Sequence, residues 1–247
     1  MRRELKILIH NGKQYIPDLK NVSLRPPFRG LPEISTAKVD EKALVAICPL
    51  GAISAGPISL DLGKCAFCGE CAFAFPEKIK FTTNYKISSN KRAHLIIKEG
   101  ATSTNLMDGS AIPKVVKKTF SKSLKLRQVS AGGDNSCEIE LGAASNANFD
   151  MGRFGIEFTA SPRHADGIVI TGPITKNSAN ALQIAYNAIP DPKIVVLCGV
   201  DAISGGIFDN SNAIERNILN TLKVDLYIPG NPPHPLTFIN ALLDYTR

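Results

Sequence analysis

The first half of this 247-residue chain is organised around the segment Cys65-Ala66-Phe67-Cys68-Gly69-Glu70-Cys71-Ala72-Phe73-Ala74-Phe75-Pro76. Three of the six cysteines lie here in the spacing C-x2-C-x2-C. Such spacing is typical of metal ligands on one tight loop rather than of disulfide partners. We therefore predict that the loop presents three thiolates to one metal centre, in a chain that stays in the reducing cytoplasm.

The fourth ligand of this centre is predicted from a second, shorter signal upstream. In two-cluster bacterial ferredoxins the run ends C-x3-C-P, and its last cysteine binds the other cluster. Here that position is Phe75, but a C-P pair survives upstream as Cys48-Pro49. By the same crossed ligation, the pair contributes to the centre downstream, and the partner cluster is absent. The predicted ligands of one [4Fe–4S] cluster are Cys48, Cys65, Cys68 and Cys71.

Zinc is the alternative occupant of the same four cysteines, because zinc also accepts a tetrahedral shell of thiolates. Zinc sites usually pair one C-x2-C with a second C-x2-C. This chain instead combines a triple run with a distant single cysteine. The spacing therefore favours iron–sulfur over zinc.

Composition indicates a soluble protein with packed cores, because 44% of the residues are apolar and the mean hydropathy is zero. No run approaches the roughly 18 apolar residues that a membrane-spanning helix needs. The first residues also lack the long apolar region of a secretion signal. We predict a chain that is not exported and has no transmembrane segment of its own.

The charge is divided unevenly along the chain. Lys and Arg outnumber Asp and Glu by 22 to 10 over residues 1–130, but are outnumbered 7 to 12 over residues 131–247. A basic half is suited to nucleic acid, an anionic membrane surface or an acidic protein. Aromatic residues make up only 6% of the chain, and no nucleic-acid-binding motif is present. We predict a protein or membrane-surface partner and no nucleic acid.

The first half is predicted as an arm followed by a small cysteine-bearing domain. Residues 1–40 are polar and interrupted by prolines, which indicates an extended arm outside the core. Residues 41–100 carry the cysteines and two alternating runs, 78–82 and 93–97. These runs are predicted as the strands of a hairpin. The segment 41–100 is therefore predicted as a ferredoxin-like α+β domain.

The second half is predicted as a basic linker, 101–127, followed by an α/β domain, 128–247. The stretch Pro113–Arg127 holds six basic and no acidic side chains, and is predicted as a solvated helix. Apolar strands then alternate with helices, a pattern typical of a parallel sheet covered on both faces. This domain is predicted as open, mostly parallel and flavodoxin-like. The predicted strands are 167–170, 194–197 and 224–228, and the predicted helices are 177–188, 212–222 and 236–245.

Seven short motifs run in order through the second half. They are Phe120–Arg127, Cys137–Glu140, Arg153–Ile156, Ser161–Asp166, Thr171–Pro173, Ser204–Gly206 and Val224–Gly230. In order and spacing they resemble the small subunit of membrane-bound energy-converting [NiFe] hydrogenases and formate hydrogenlyases, which is homologous to the 20 kDa (B) subunit of NADH:quinone oxidoreductase. The resemblance covers residues 118–247. The preceding segment, with Arg29-Gly30-Leu31-Pro32, is similar to ferredoxin-type subunits of the same complexes.

The resemblance implies an electron-transfer subunit of a hydrogenase- or complex-I-like assembly. Its implied partners are a large-subunit-like protein and other subunits of a membrane-associated complex. These partners would hold the chain peripherally on the inner face of the cell membrane. We expect the cluster to transfer electrons without catalysis by this chain alone, and no catalytic residue is predicted.

The resemblance also implies a second cluster position in the α/β domain, beside the active site of the large subunit. Carried over residue by residue, its four ligand positions are Asp134, Cys137, Asp201 and Asn231. Carboxylates and an amide suit hard cations better than a cube. We therefore predict that no cluster binds here. Cys198, in a nearby strand, is predicted as a core residue rather than a substitute ligand.

Two other functions remain open from the sequence. The α/β domain could be a scaffold or assembly subunit that docks a large-subunit-like partner without passing electrons through it. A partner without nickel-ligating cysteines would favour that function. The chain could also be a stand-alone enzyme using Asp134, Cys137 and Asp201, although no base or nucleophile completes such a site.

Overall fold

A computed structural model describes residues 2–102 and 105–247 of the chain. The α-helices in this part are α1 (Arg2–Asn11), α2 (Glu41–Ala46), α3 (Glu70–Ala74), α4 (Lys114–Phe120), α5 (Ser136–Ala143), α6 (Lys176–Ala188), α7 (Val200–Ser204) and α8 (Pro235–Thr246). The strands are β1 (Pro32–Ile34), β2 (Ile53–Ser54), β3 (Ser59–Asp61), β4 (Ile79–Phe81), β5 (Ile96–Lys98), β6 (Leu124–Ser130), β7 (Ile156–Phe158), β8 (Gly167–Thr171), β9 (Ile194–Cys198) and β10 (Leu226–Ile228). None of the described helices is long and apolar enough to cross a membrane.

The larger sheet belongs to the second half of the chain. Its strand order is β10-β9-β8-β6-β7, and all of these neighbours are parallel. Counted from β6, this is the 2-1-3-4-5 order of flavodoxin-like folds, with a topological switch point between β6 and β8. Every residue of β8 and of β9 is buried, as expected where both faces of a parallel sheet are covered. The prediction of an α/β fold with a mostly parallel sheet is confirmed.

Some elements of the second half were predicted correctly from the sequence and others were not. The strands at 167–170 and 194–197 and the helices at 177–188 and 236–245 are present, as β8, β9, α6 and α8. The predicted helix at 212–222 is wrong, since only a short 3-10 turn, Asn217–Asn220, forms there. Three Asn and one Thr lie in this segment, and their side chains compete with the backbone for the hydrogen bonds of a helix.

The predicted solvated helix over Pro113–Arg127 is also wrong in its extent and burial. Helix α4 ends at Phe120, and β6 begins at Leu124, inside the stretch assigned to the linker. Val116 and Phe120 are buried against the sheet-side core. The basic residues of this stretch therefore lie around a core helix and at the start of β6, which pairs with β7 and β8.

The predicted hairpin of residues 78–82 and 93–97 does not form. Strand β4 pairs antiparallel with β1, whereas β5 pairs with β3 in a three-stranded antiparallel sheet with β2. The segment between the two runs instead contacts the large sheet, because Ser89 and Tyr227 exchange backbone hydrogen bonds of 3.0 and 2.8 Å.

Residues 1–40 are not an extended arm outside the core. Leu19, Leu31 and Ile34 are buried, and β1 is a paired strand. The carbonyl of Leu19 accepts hydrogen bonds from the Tyr85 hydroxyl at 2.8 Å and from the Asn240 amide at 2.9 Å. Helix α1 forms before the first proline of this segment, and the prolines from residue 17 onward do not prevent the side chains between them from packing.

The two halves share one core. A single cluster of buried side chains contains Leu44 and Leu60 from the cysteine-bearing half and Ile168 and Leu197 from the large sheet. The cysteine loop is therefore held against the α/β part of the molecule. The division into segments at residues 40, 100 and 127, and the ferredoxin-like fold of 41–100, stay predictions.

Candidate metal centre

The four predicted cluster ligands line one small cavity in the first half of the molecule. Cys65 and Cys71 are buried, Cys48 is half-buried and Cys68 is exposed. The remaining walls are mostly apolar and include Pro49, Leu50, Ile53, Leu60 and Phe81. The structure thus brings together the residues that the crossed-ligation pattern selects, although Cys48 precedes the loop by many residues.

The shape of the cysteine loop depends on Gly69. This residue precedes α3 and has a φ of 87° in the left-handed region, which an L side chain rarely adopts. A Cβ at this position would also lie 3.2 Å from the Phe73 ring and 3.3 Å from the Arg29 side chain. Glycine therefore allows the loop to turn sharply between Cys68 and Cys71.

The electrostatics of the cavity disfavour free thiolates. Burial raises the pKa of Cys65 to about 12 and that of Cys71 to about 11, and repulsion from the neighbouring cysteines contributes to both. Four thiolates therefore coexist here only when positive charge compensates them, because metal ligation and deprotonation of cysteine are coupled. Without metal, the two buried thiols stay protonated at neutral pH.

Two backbone amides point at the sulfur atoms. The amide of Ala52 donates to Cys48 Sγ at 3.2 Å, and the amide of Phe67 donates to Cys65 Sγ at 3.3 Å. Hydrogen bonds to cysteine sulfur are one of the means by which proteins set the potential of iron–sulfur clusters. Soft ligands with amide donors behind them fit a cube.

A site for a single metal ion needs a different arrangement of cysteines from a site for a four-iron cluster. Within residues 2–102 and 105–247, no group of three or more His, Cys, Asp or Glu side chains is arranged to hold one metal ion. Four sulfurs around one zinc ion stand roughly 3.8 Å apart, as follows from a Zn–S distance of about 2.3 Å. In a cube each thiolate binds a different iron, so its sulfurs stand farther apart. Zinc and iron–sulfur therefore require different spacings of the same four cysteines.

The positions of a second ferredoxin-type cluster are occupied by other side chains. The C-x2-C-x2-C-x3-C spacing that ends at Cys48 places its first three positions at Lys38, Glu41 and Leu44. Leu44 is fully buried, and Phe75, at the fourth position of the other run, packs against the same core. Protein interiors contain few voids larger than a water molecule. This packing favours one cluster in the first half.

Arg29 is a residue near the loop whose role the sequence did not indicate. Its Nε donates to the carbonyl of Phe67, between Cys65 and Cys68. None of the ion pairs in the described part of the chain involves Arg29. Arg29 therefore brings a positive charge to the cysteine loop, where it shares a cavity with Cys68. The only signal in the sequence was its place in the Arg29–Pro32 motif of the resemblance.

The four positions that correspond to the second cluster of the resembled subunits, here called the degenerate positions, lie near the carboxyl edge of the large sheet. Asp134, Asp201 and Asn231 follow β6, β9 and β10, respectively. Cys137 is buried with its sulfur against Gly199, where a Cβ would lie 2.5 Å from it. The charges of Asp134 and Asp201 act on Cys137, so these three groups are close together. Asn231 instead lines a cavity of about 240 Å³ that it shares with Cys68 and Arg29.

This second set of residues does not fit a cube. Burial, followed by the nearby carboxylates, raises the pKa of Cys137 to about 12. Asp134 accepts hydrogen bonds from the backbone and hydroxyl of Ser136, which lowers the pKa of Asp134. Cys198 is fully buried within β9, where burial raises its pKa strongly. The site therefore offers one neutral thiol and carboxylates where a cube needs soft thiolates.

Asp201→Asn is expected to stabilise the protein at pH 7. Burial, and then the charge of Asp134, raise the pKa of Asp201 above its ordinary value. A carboxyl group whose folded pKa is raised contributes full stability below its unfolded pKa of about 3.9, and this contribution is lost as the pH rises through the folded pKa. Urea unfolding should show the variant more stable than wild type at pH 7, with the difference shrinking toward pH 4. A difference that grows on acidification would contradict the assignment.

Comparisons with known proteins agree with this geometry in the second half. A family model described as "NADH ubiquinone oxidoreductase, 20 Kd subunit" matches residues 135–245. The probable membrane-bound hydrogenase subunit mbhJ of Pyrococcus furiosus is 36% identical over 115 residues, which are 47% of this chain and 69% of that protein. The B subunit of NADH-quinone oxidoreductase from Citrifermentans bemidjiense is 45% identical over 107 residues, 43% of this chain. The chain spans 62% of the length of that protein.

An archaeal protein and a solved structure extend the comparison. An uncharacterized protein of Methanocaldococcus jannaschii is 38% identical over 130 residues, covering 52% of this chain and 87% of that protein. A chain in the structure of the membrane-bound sulfane sulfur reductase, an archaeal respiratory membrane complex, is 30% identical with a TM-score of 0.45. That match covers 52% of this chain and 71% of the other.

The parallel sheet with ligand positions at its carboxyl edge, together with these relatives, defines a subunit of an oxidoreductase complex. The chain belongs to the NADH ubiquinone oxidoreductase 20 kDa subunit family. The resemblance to that family is thereby confirmed for residues 135–245.

Proposed function

We propose that this chain is an electron-transfer subunit of a hydrogenase- or complex-I-like assembly and carries one [4Fe–4S] cluster. The observation that carries the proposal is the single cavity lined by all four cysteines of the crossed-ligation pattern. The proposed ligands are Cys48, Cys65, Cys68 and Cys71. When bound, such a cluster supplies one-electron chemistry, and the protein sets its position and potential.

The surrounding residues have defined tasks under this proposal. The amides of Ala52 and Phe67 donate to ligand sulfurs and so stabilise the more negative, reduced state. Arg29 fixes the loop through the Phe67 carbonyl and adds a positive charge that acts in the same direction. The packed core behind Cys65 and Cys71 excludes water from the inner side.

Electrons would enter or leave at Cys68, because this is the exposed cysteine of the four. The cavity beside Cys68 has the turn Pro229–His234 as its opposite wall. That turn contains Asn231, one of the positions where the resembled small subunits hold their own cluster. The proposed cluster thus faces the same side of the molecule as the degenerate position, which supports docking of a large-subunit-like partner there.

The loss of three cysteines from the four degenerate positions favours a second candidate function. Asp134, Asp201 and Asn231 replace three thiolates, so the resembled route of electrons through the α/β half lacks its cluster. The chain would then be a scaffold or assembly subunit that docks the partner without passing electrons through this half. A large-subunit homologue without nickel-ligating cysteines as the partner would favour the scaffold.

Cellular placement follows from the same proposal. One relative is named as a probable subunit of a membrane-bound hydrogenase. We propose that the chain is cytoplasmic and is held at the inner face of the membrane as a peripheral member of such a complex.

Redox spectroscopy on the native complex tests the proposed function. After anaerobic isolation, the chain should show brown absorbance near roughly 400 nm, expected of thiolate-bound iron–sulfur. Reduction through the partner's substrate should bleach this absorbance and produce a paramagnetic signal that Cys68→Ser removes. A cluster that dithionite reduces but the complex's substrate does not would support the scaffold. A colourless protein containing zinc would contradict the electron-transfer function.

A further inference from the structure

Helix α1 lies on the surface of the described structure. None of its residues is buried, although it contains four large aliphatic side chains. Leu8 is 68% and Ile9 is 77% exposed. A helix of ten residues is marginal in water by itself, and in proteins its stability comes mainly from packing of an apolar face. The described part of the chain therefore leaves the apolar face of α1 uncovered.

The side chains of α1 are segregated in a way that identifies the kind of surface that would cover this face. Leu5, Leu8 and Ile9 follow the i, i+3, i+4 spacing and form one apolar stripe. On a helical wheel Arg2 and Lys6 lie along one side of the stripe, and Arg3 lies next to them. The acidic Glu4 lies along the other side, and the fourth aliphatic residue, Ile7, lies on the opposite face. Lysine is depleted from the cores of protein interfaces, whereas basic residues flanking an apolar stripe suit an anionic lipid surface.

The segment after α1 attaches the helix to the rest of the molecule. The helix ends at Asn11, and the next residue, Gly12, has a φ of 59° and donates to the carbonyl of Leu8. The amide of Ile16 then donates to the carbonyl of Asn148 at 2.9 Å, and the Arg153 guanidinium carbon lies 5.2 Å from the centre of the Tyr15 ring. The helix is therefore held at the surface by the residues that follow it, and its own side chains stay available.

We propose that α1 lies in the interface of an anionic lipid membrane and anchors the chain there directly. The apolar stripe would enter the boundary between headgroups and acyl chains, and the basic residues would contact lipid phosphates. A stripe of three aliphatic side chains binds weakly by itself, so the electrostatic attraction is a necessary part of the anchor. This proposal does not depend on the iron–sulfur cluster.

Sedimentation of the full-length chain with lipid vesicles tests the proposal. Wild type should sediment with vesicles that contain phosphatidylglycerol, less so with pure phosphatidylcholine, and should be released by high salt. Binding should also increase the helical circular dichroism signal. Removing charge with Arg2→Gln or Arg3→Gln should weaken binding about fivefold for each residue, from the electrostatic contribution of one basic side chain near an anionic surface.

Paired variants separate the stripe from exposed apolar residues in general. Leu8→Glu combined with Ile9→Glu should abolish sedimentation without affecting folding, because neither side chain is buried. The matched control is Ile184→Glu on α6, since Ile184 is 62% exposed and lies outside the stripe. The control should bind like wild type. Failure of wild type to bind the vesicles, or equal binding by wild type and the double variant, would overturn the proposal. A double variant that still binds vesicles but no longer binds a partner protein would overturn it too.

Discussion

Cys48→Ser is expected to remove the cluster as completely as Cys68→Ser. Under crossed ligation Cys48 is one of four ligands, and a cube with an open iron is labile to loss of that iron. The serine hydroxyl is a harder and less acidic ligand than the thiol. Iron bound to the anaerobically purified variant should fall to a small fraction of the wild-type value, and the absorbance near roughly 400 nm should fall with it.

The matched control for this experiment is Cys137→Ser. Cys137 is also a buried cysteine, but it lies at the edge of the large sheet, among carboxylates, rather than in the cavity of the loop. Its replacement should leave the iron content unchanged. A Cys48 variant that keeps full iron, or a Cys137 variant that loses it, would refute the assignment of the ligands.

Arg216→Met is expected to cause a large loss of stability. The guanidinium of Arg216 donates to the carbonyls of Pro173, Asp201, Ala202 and Ile203 at 2.9 to 3.1 Å. Several of these carbonyls belong to the last turn of α7, where carbonyls otherwise lack partners within the helix. Methionine keeps much of the volume but removes the donor from all four carbonyls, of which Asp201 alone keeps the Gly205 amide, at a cost of about 2–3 kcal/mol.

Urea unfolding measures this loss, with Arg163→Met as the control. Arg163 lies in a short 3-10 turn before β8 and is not buried, so its replacement should change the free energy of unfolding by less than about 0.5 kcal/mol. The comparison separates loss of the carbonyl contacts from loss of one positive charge. Equal effects of the two substitutions would show that the four contacts do not stabilise the sheet edge.

The parallel sheet could be predicted from the sequence because β8 and β9 are buried on both faces. A continuous apolar run between helical stretches leaves few alternatives. The strand β6 was missed, although it pairs with a strand on each side, because its first apolar residues alternate with lysine and arginine and follow a basic helix. The excess of positive charge in this stretch favoured the prediction of a solvated helix. The pairing of the strand with β7 and β8 is a long-range contact that only the folded chain shows.

Long-range contacts explain the errors in the first half. The run at 78–82 pairs with β1, in a segment whose prolines suggested an arm, and its separation from that partner gives no local signal. Arg29 was likewise missed as a neighbour of the cysteine loop, because its contact with Phe67 spans 38 residues. The cysteines themselves were recognisable because ligand spacing is a local property of the chain.

Iron and acid-labile sulfide analysis of the anaerobically purified chain tests whether the four cysteines bind one [4Fe–4S] cluster. One cube held by Cys48, Cys65, Cys68 and Cys71 requires about four irons and about four sulfides per chain. The packing of Leu44 and Phe75, and the carboxylates of Asp134 and Asp201, predict that no further iron is bound. About eight of each would show a second cluster, and one zinc with no sulfide would show that the four cysteines form a different centre.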